Sequence, residues 1–299
     1  MNSKKLAFLF AFSAAVIYGL SFTIAKEVMP RYIEPYGFIL LRIIAGTILF
    51  WLVGFFIQEE KIILVDYPRI FLASIFGIAL NMLTFFKGLS MTTPISASVI
   101  MVTTPIIVLT FSAFILKEKA TKRKLSGIFI GMFGAILLIV YGNEIGVSSN
   151  AVLGNILVFI NAASFALYLI LIKNLTQKYH PLTIAKWLYL FGLFLVLPFG
   201  IQEFNSIDWG KIPINGLLKI GYVVVFTTFL AYMFNLFAIK KLKPTTLSIF
   251  IYLQPVLATT YALIVGSDTL NDVKILATIL IFIGVYLVSY KPVKTISRK

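Results

Sequence analysis

Cysteine is absent from the 299-residue chain, which excludes disulfides, thiolate metal sites and cysteine nucleophiles. The only histidine, His180, falls in a short polar connection, and just 11 residues are acidic. The apolar segments therefore offer Ser, Thr and Asn without a histidine, cysteine or acid beside them, so a nucleophile has no base and a metal has no ligand set. We expect no metal, no cofactor and no enzymatic activity.

Apolar residues, in contrast, dominate the chain. They make up 60% of it, charged residues only 12%, and the mean hydropathy is +0.99. Runs of about 18 residues or more are long enough to cross a bilayer core as helices, and no alternating pattern indicates a barrel. The sequence predicts an all-α integral membrane protein with ten spans at 6–26, 35–57, 70–89, 94–116, 124–141, 152–172, 181–201, 215–238, 244–265 and 273–290.

Basic residues lie unevenly on the two sides of the predicted spans. Eighteen Lys and Arg residues fall on the side of the N-terminus and six on the other. Such a bias is typical of cytoplasmic loops, so we expect both termini in the cytoplasm. Since the net charge of +15 resides in short connections between apolar segments, it indicates membrane orientation and not nucleic-acid binding.

An internal repeat relates the two halves of the chain at a constant offset of 150 residues. The matched pairs are Pro94 and Pro244, Ser98 and Ser248, Pro105 and Pro255, Glu118 and Asp268, and Gly134 and Gly284. Five spans per repeat is an odd number, so the second copy must enter the membrane upside down. We predict two inverted five-helix halves, residues 1–145 and 146–299, as in secondary transporters.

These residues resemble a known family. The sequence YGLSF followed by Lys26, Pro35 and Arg42, and the P-x12-E pattern leading into GIFIGMFGAILL, are similar to the EamA-type drug/metabolite transporters. The resemblance covers essentially the whole chain and implies an integral membrane carrier, of the kind that in bacteria exports amino acids and other small metabolites through a cavity between two halves. It implies a bacterial inner-membrane location.

The chain departs from the family pattern at three positions. Tyr18 stands where tryptophan is usual, Asp268 where glutamate is usual, and Ala277 where the glycine matching Gly127 would be. These changes bear on packing and gating more than on the class of protein. The glycines at 127, 131 and 134 give the fifth span a small face for close helix contact.

Polar residues inside the spans are candidates for the wall of a solute cavity, because they are costly in lipid. Asn81 and Thr84 share one face of the third span, and Thr228, Tyr232 and Asn235 share the corresponding face of the eighth. Interhelical hydrogen bonding is the alternative interpretation. Further candidates are Tyr18, Asn161, Tyr168, Tyr252 and Gln254.

Pro105 and Pro255 interrupt apolar runs, and each removes a helical hydrogen bond. We expect bent helices there that flank the cavity, although a merely tolerated kink is the alternative. Glu118 and Asp268 follow each bend, where a carboxylate is solvated, and we expect them to cap the next helix or pair with a base.

Arg42 lies a third of the way into the second span and has two interpretations. It snorkels to the external interface, or it points inward as a gate or ion-pair element towards Glu34 or an anionic solute group.

No acid lies in the middle of a span, so a relay of buried carboxylates for protons has no residues, and facilitated diffusion is favoured. A neutral, amide-bearing, aromatic cavity suits neutral or zwitterionic metabolites such as amino acids. Alternatives are a nucleotide-sugar or sugar-phosphate exchanger or a channel of the same fold, and an intramembrane enzyme. The sequence leaves the solute, coupling, direction and oligomeric state open.

Overall fold

The computed structural model describes residues 3–56, 60–116, 122–141 and 150–289, and these ranges contain helices and no strand. The all-helical prediction is confirmed for these ranges. Their α-helices are α1 Ser3–Val28, α2 Pro35–Gly54, α3 Tyr67–Ser74, α4 Leu80–Met91, α5 Pro94–Met101, α6 Thr104–Leu116, α7 Lys122–Tyr141, α8 Ala151–Lys178, α9 Pro181–Asn205, α10 Ile214–Tyr222, α11 Tyr232–Lys241, α12 Pro244–Leu247, α13 Leu253–Ile264 and α14 Asp272–Ser289.

Seven helical stretches of the described chain are long and apolar enough to cross a membrane. They are Lys4–Val28, Pro35–Gly54, Leu64–Met91, Pro94–Phe111, Ala151–Lys178, Pro181–Asn205 and Ile214–Lys241. The predicted spans 124–141 and 273–290 overlap the apolar helices α7 and α14, and the second half of the predicted span 244–265 overlaps α13. The protein is therefore a multi-span membrane protein.

Two predicted spans are not single regular helices. The span 94–116 divides into α5 and α6 at a turn formed by Val102 and Thr103. The span 244–265 passes through a 3-10 segment, Ser248–Tyr252, between α12 and α13. Both irregularities precede the prolines singled out above, Pro105 and Pro255, because a proline cannot donate the hydrogen bond that would continue the preceding turn.

Proline begins four of the helices. Pro35, Pro94, Pro181 and Pro244 each occupy the first turn of α2, α5, α9 and α12. This is the position where the missing N–H costs nothing, since the first N–H groups of a helix have no partner within it. The predicted spans 35–57 and 181–201 start at Pro35 and Pro181, and the structure confirms both starts.

The helices pack in a small number of extensive pairs. α7 lies against α14, α2 against α9, α1 against α11 and α13, and α8 against α4 and α6. The α7–α14 contact uses the predicted small face, since a side chain at Gly284 would lie 2.5 Å from the backbone of Gly131. Close backbone approach of this kind is how membrane helices gain contact without a hydrophobic driving force.

Candidate functional site

A cavity of about 110 Å³ lies among the helices, and both halves of the sequence contribute to its wall. Its apolar lining includes many large aromatic rings. The lining residues are Ala11, Ala15, Tyr18, Ser21, Phe22, Arg42, Gly77, Asn81, Met82, Phe85, Phe86, Met101, Asn161, Phe165, Thr227, Tyr232, Asn235, Leu247, Phe250, Ile251 and Gln254.

Six of the predicted wall residues meet in this cavity: Tyr18, Asn81, Asn161, Tyr232, Asn235 and Gln254. The Asn161 amide donates from Nδ2 to the backbone oxygen of Asn81, 2.8 Å away, and so ties α8 to α4. The Tyr18 hydroxyl is within hydrogen-bonding reach of the Asn235 side chain. Polar side chains from distant parts of the sequence therefore gather around one cavity. Hydrogen bonding between two packed helices would not require this arrangement.

Three predicted wall residues lie outside the lining. The Thr84 hydroxyl turns back to donate to the carbonyl of Leu80 at 2.7 Å, which satisfies it within its own helix. Tyr168 is buried behind the wall, with its ring centroid 6.0 Å from that of Tyr232. The Tyr252 ring packs 6.0 Å from Phe282. These side chains support the wall without forming it.

Arg42 points into the protein. Its side chain is 2% exposed, its Nε donates to the Thr228 hydroxyl at 2.8 Å, and its guanidinium carbon lies 4.1 Å from the Phe86 ring centroid. Glu34, the expected acidic partner, is exposed and forms no ion pair with it in the described ranges. The inward interpretation thus fits the structure, with Thr228 and Phe86 as neighbours.

Two segments of the wall are π-helical. Ile75–Ala79 joins α3 to α4, and Val223–Ala231 joins α10 to α11. With the repeat offset of 150 residues, the first segment corresponds to residues 225–229, which lie within the second segment. Widened turns of this type are rare and are frequently found at functional sites.

Side chains from neighbouring helices bind the backbone of these widened segments. The Ser164 hydroxyl donates to the carbonyl of Phe76 at 2.7 Å, and Tyr189 donates to that of Thr228 at 2.9 Å. Ser21 and Thr227 share a hydrogen bond of 2.5 Å across the wall. Each link connects one half of the chain to the other or fixes a wall segment in place.

The two interrupted helices also border the cavity. Met101, the last residue of α5, and Ile251 in the 3-10 segment both line it. Their carbonyls are those that Pro105 and Pro255, four residues later, cannot bind. Pro105 lies in the first turn of α6 and Pro255 in that of α13.

Asp268 lies away from the cavity, and its side chain is buried. Its Oδ1 is 2.8 Å from Lys274 Nζ, with the two side chains 3% and 2% exposed, and its Oδ2 accepts from the backbone N–H of Ile95 at 2.9 Å. It therefore pairs with a base, as expected, but it is shielded from water and caps α5. The cap of α14 comes from Asn271, which accepts from Lys274 N. Glu118 lies outside the described residues.

Sequence reasoning did not single out Phe86 or Tyr189 as residues near the cavity. Aromatic residues are 15% of the chain, so nothing distinguishes the one that stacks on Arg42. Thr228 was predicted to share the cavity-lining face with Tyr232 and Asn235, but it lies outside the lining and its hydroxyl accepts from Arg42 Nε.

The sequence matches the EamA-like transporter family twice, over residues 5–140 and 152–290. It is 27% identical over 280 residues to an "Uncharacterized transporter" of Archaeoglobus fulgidus, with 92% of this chain and 95% of the relative covered. It is 24% identical to "Uncharacterized transporter YyaM" of Bacillus subtilis (91% and 89% covered) and 26% identical to "Uncharacterized inner membrane transporter YedA" of Escherichia coli K12 (66% and 64% covered). A crystal structure at 18% identity superposes with a TM-score of 0.67 over 94% of this chain and 97% of the other.

Proposed function

The chain belongs to the EamA-like transporter family and is a membrane transporter, and from this premise we propose that it exports small neutral or zwitterionic metabolites, such as amino acids, by alternating access. The observation that carries the proposal is the cavity. Amide and hydroxyl groups of Tyr18, Asn81, Asn161 and Asn235 share its wall with aromatic rings, and no acid lines it within the described ranges. Few polar groups in an apolar pocket are what a small-molecule site requires.

The charge of the lining favours this solute class over phosphorylated solutes. A phosphate carries nearly two negative charges at neutral pH, and a nucleotide sugar carries two phosphates. Arg42 is the one cation among the described residues of the lining, which would leave such a solute undercompensated in an apolar surrounding. A sugar-phosphate or nucleotide-sugar exchanger of this fold is therefore disfavoured.

We propose that the two halves are inverted repeats, divided near residue 145, and that they alternate around the cavity. The packing supports this idea, because exchanging the halves converts the α1–α13 contact into the α8–α6 contact and the α1–α11 contact into the α8–α4 contact. The two π-helical segments also occupy equivalent places in the two halves, between α3 and α4 and between α10 and α11. Inverted repeats of this kind allow one half to rock against the other.

Two lysines support the same relation. Lys26, at the end of α1, donates to the carbonyls of Leu89 and Ser90 at 3.0 and 2.7 Å, near the C-terminus of α4. Lys173, in the last part of α8, donates to the carbonyls of Ile239 and Leu242 at 2.7 and 2.9 Å, at the end of α11. A cation placed on the last carbonyls of a helix stabilises its C-terminus.

Two glutamates make equivalent contacts in the two halves, each capping the helix that packs against its own. Glu60 accepts from the backbone N–H of His180 at 2.6 Å, where α9 begins. Glu203 accepts from Tyr36 N at 2.6 Å and Gly37 N at 2.9 Å, where α2 begins. Glu60, which follows α2, thus caps α9, and Glu203, near the end of α9, caps α2.

For orientation we propose that both termini are cytoplasmic and that the protein resides in a bacterial inner membrane. The three-to-one distribution of basic residues supports the orientation. The name of the Escherichia coli relative, an inner membrane transporter, supports the choice of membrane.

Mass spectrometry of the culture medium tests the function. Cells would produce the wild-type protein, the double variant Asn81→Ala/Asn235→Ala, or the variant Asn174→Ala, which makes the same chemical change at an exposed position of α8. At equal abundance in the membrane, we expect a small set of neutral metabolites to accumulate with the wild type and the control but not with the double variant. Equal accumulation in all three cultures would contradict the assigned site.

A further inference from the structure

A second cavity, of about 280 Å³, lies between the C-terminal end of α2 and the first two turns of α9. We call it the α2–α9 pocket. Its lining shares no residue with that of the cavity described above. Three aromatic rings and three charged side chains characterise it, and they belong to Trp51, Tyr67, Trp187, Glu60, Lys61 and Lys186.

The pocket forms because α2 and α9 make close backbone contact at their other end only. There a side chain at Gly37 would lie 2.8 Å from the backbone of Glu203. At the pocket end, the atom nearest to a side chain at Gly54 would belong to the side chain of Lys186, 2.5 Å away. Side chains, and not backbone, therefore fill the space between the two helices at this end.

Aromatic rings hold the Lys186 side chain in the pocket. Its ammonium nitrogen lies 4.6 Å from the centroid of the Trp51 ring, which is a cation–π contact. Trp51 and Trp187 meet edge to face at 5.9 Å, and Tyr67 meets Trp187 in the same way at 4.9 Å. Since Trp and Tyr concentrate at the depth of the lipid head groups, this cluster places the pocket at the interface of the bilayer.

The pocket has more positive than negative charge. Its cations are Lys61 and Lys186, and neither belongs to an ion pair among the described residues. Its acid, Glu60, already accepts from the backbone N–H of His180 at 2.6 Å. The indole N–H of Trp51 is buried without a hydrogen-bond partner in the described ranges, although a buried indole usually has one. Two cations and one carboxylate give a net charge of about +1, which favours an anion with several acceptor oxygens.

Exposed apolar side chains lie next to the pocket residues along the chain. Phe55 and Phe56 follow α2, and Ile63, Leu64 and Val65 precede α3. A soluble anion would leave these side chains uncovered, whereas the acyl chains of a lipid would cover them. The apolar surface beside a cationic pocket therefore favours a lipid over a free phosphate.

We propose that the α2–α9 pocket binds the head group of an anionic phospholipid with one negative charge, for which phosphatidylglycerol is the probe. The phosphate lies between the ammonium groups of Lys61 and Lys186, and the acyl chains lie against the exposed apolar side chains. In the orientation proposed above, the lipid belongs to the cytoplasmic leaflet, and basic pockets between helices on that side of a membrane bind acidic head groups. This inference does not depend on the solute or on the transport cycle.

Quenching of tryptophan fluorescence by brominated lipids tests the inference. The chain has three tryptophans, two in the pocket and Trp209 in the 3-10 turn before α10. The variant Trp209→Phe reports on the pocket, and the double variant Trp51→Phe/Trp187→Phe reports on lipid that covers the protein elsewhere. The full-length protein is placed in phosphatidylcholine vesicles that contain increasing fractions of brominated phosphatidylglycerol or brominated phosphatidylcholine. We expect the pocket to bind phosphatidylglycerol about tenfold or more tightly than phosphatidylcholine, with a much smaller preference at Trp209.

Lysine variants in the Trp209→Phe background identify the residues responsible. Lys61→Gln/Lys186→Gln should lower the preference to the level found at Trp209. Lys241→Gln/Lys243→Gln removes the same charge from exposed lysines at the end of α11 and should leave the preference unchanged. Lys61→Gln alone changes only an exposed side chain and should lower the preference about threefold or more, so the test does not depend on correct folding of the double variant.

Three outcomes would overturn the inference. The first is an equal preference for phosphatidylglycerol at the pocket and at Trp209, or a preference that survives Lys61→Gln/Lys186→Gln, since either would indicate general surface charge. The second is equal binding of brominated phosphatidylethanolamine, which would indicate a zwitterionic head group. The third is displacement of the brominated lipid by inorganic phosphate beyond the effect of chloride at equal ionic strength, which would indicate a site for soluble phosphate.

Discussion

The carboxylate of Asp268 and the backbone N–H of Ile95 are joined by a hydrogen bond of 2.9 Å, which ties the turn before α14 to the first turn of α5. The same carboxylate holds Lys274 Nζ at 2.8 Å, and Lys274 also donates to the carbonyl of Thr269 at 2.7 Å. One acid thus closes a contact between segments 173 residues apart in the chain and neutralises a buried cation.

Asp268→Asn should destabilise the protein by about 3–5 kcal/mol, because it leaves Lys274 buried without its counter-charge. The asparagine side chain still has an oxygen that can accept from Ile95 N. The loss of stability therefore measures the effect of the missing charge and not of a missing cap. The measurement is the thermal unfolding of the purified protein in detergent. The double variant Asp268→Asn/Lys274→Met should recover most of the loss, and failure to recover would show that Ile95 depends on the ionised carboxylate.

The carboxylate caps of α2 and α9 give a second prediction. Glu203→Gln and Glu60→Gln each replace a carboxylate that accepts backbone N–H groups at a helix N-terminus, and each should lower stability by about 0.3–2 kcal/mol. Glu34→Gln is the matched control, since Glu34 precedes α2 but makes no side-chain cap. Thermal unfolding of the three variants at low and high salt checks the prediction. A control as unstable as the other two would show that negative charge near the helix N-terminus, and not the capping hydrogen bonds, is responsible.

His180 predicts a pH dependence at the start of α9. Its Nδ1 accepts from Leu182 N at 3.4 Å, which requires a neutral ring, and burial together with nearby Lys240 lowers the pKa of His180 below 6.5, against an opposing effect of Glu60. In the unfolded chain the histidine takes up a proton near pH 6.5, whereas the folded protein resists it. Stability should therefore fall as the pH drops through 6.5, until the lowered folded pKa is passed.

The variant His180→Asn keeps a capping side chain but does not titrate. The difference in melting temperature between wild type and His180→Asn should be constant above pH 7 and should change between pH 6.5 and 5. A difference independent of pH over this range would contradict the assignment of the effect to His180.

Gly77 tests the support behind the cavity. A side chain at this position would overlap the ring of Tyr168, which contacts the π-helical segment at Gly77. Gly77→Ala should therefore destabilise the protein by about 1–3 kcal/mol through overpacking. In a protein that already carries Tyr168→Leu, Gly77→Ala should cost much less stability, because the ring that it would overlap is gone. Additive losses in the double-mutant cycle would show that Gly77 matters for its backbone and not for this contact.

The positions of the helices could be predicted from hydropathy and from proline, because both depend on the local sequence and not on contacts between helices. Apolar runs determined where helices lie, and Pro35 and Pro181 marked starts that the structure reproduces. The two π-helical segments could not be predicted, since a widened turn depends on contacts such as Ser164 with the Phe76 carbonyl, which come from another helix.

The candidate site shows the same limit. Asn81, Asn161 and Asn235 could be named because an amide in lipid is costly wherever it occurs. The environment of Arg42 could not, since Thr228 and Phe86 are 186 and 44 residues away in sequence. Similarly, Thr84 looked like a wall residue by spacing, but a threonine hydroxyl can bind the carbonyl of the preceding turn, and this one does.

A carrier and a channel of this architecture make opposite predictions for a purified protein. In an alternating-access carrier, unlabelled solute inside a liposome accelerates entry of labelled solute, because the loaded form reorients on each side. We expect such counterflow for a solute identified in the culture medium, with no current in planar bilayers. Asn81→Ala and Asn235→Ala should each lower the rate of counterflow about tenfold or more, because each removes a polar group from the wall of the proposed solute site, whereas Asn174→Ala should leave it unchanged. Solute flux without counterflow, accompanied by single-channel current, would instead indicate a continuous pore through the same cavity.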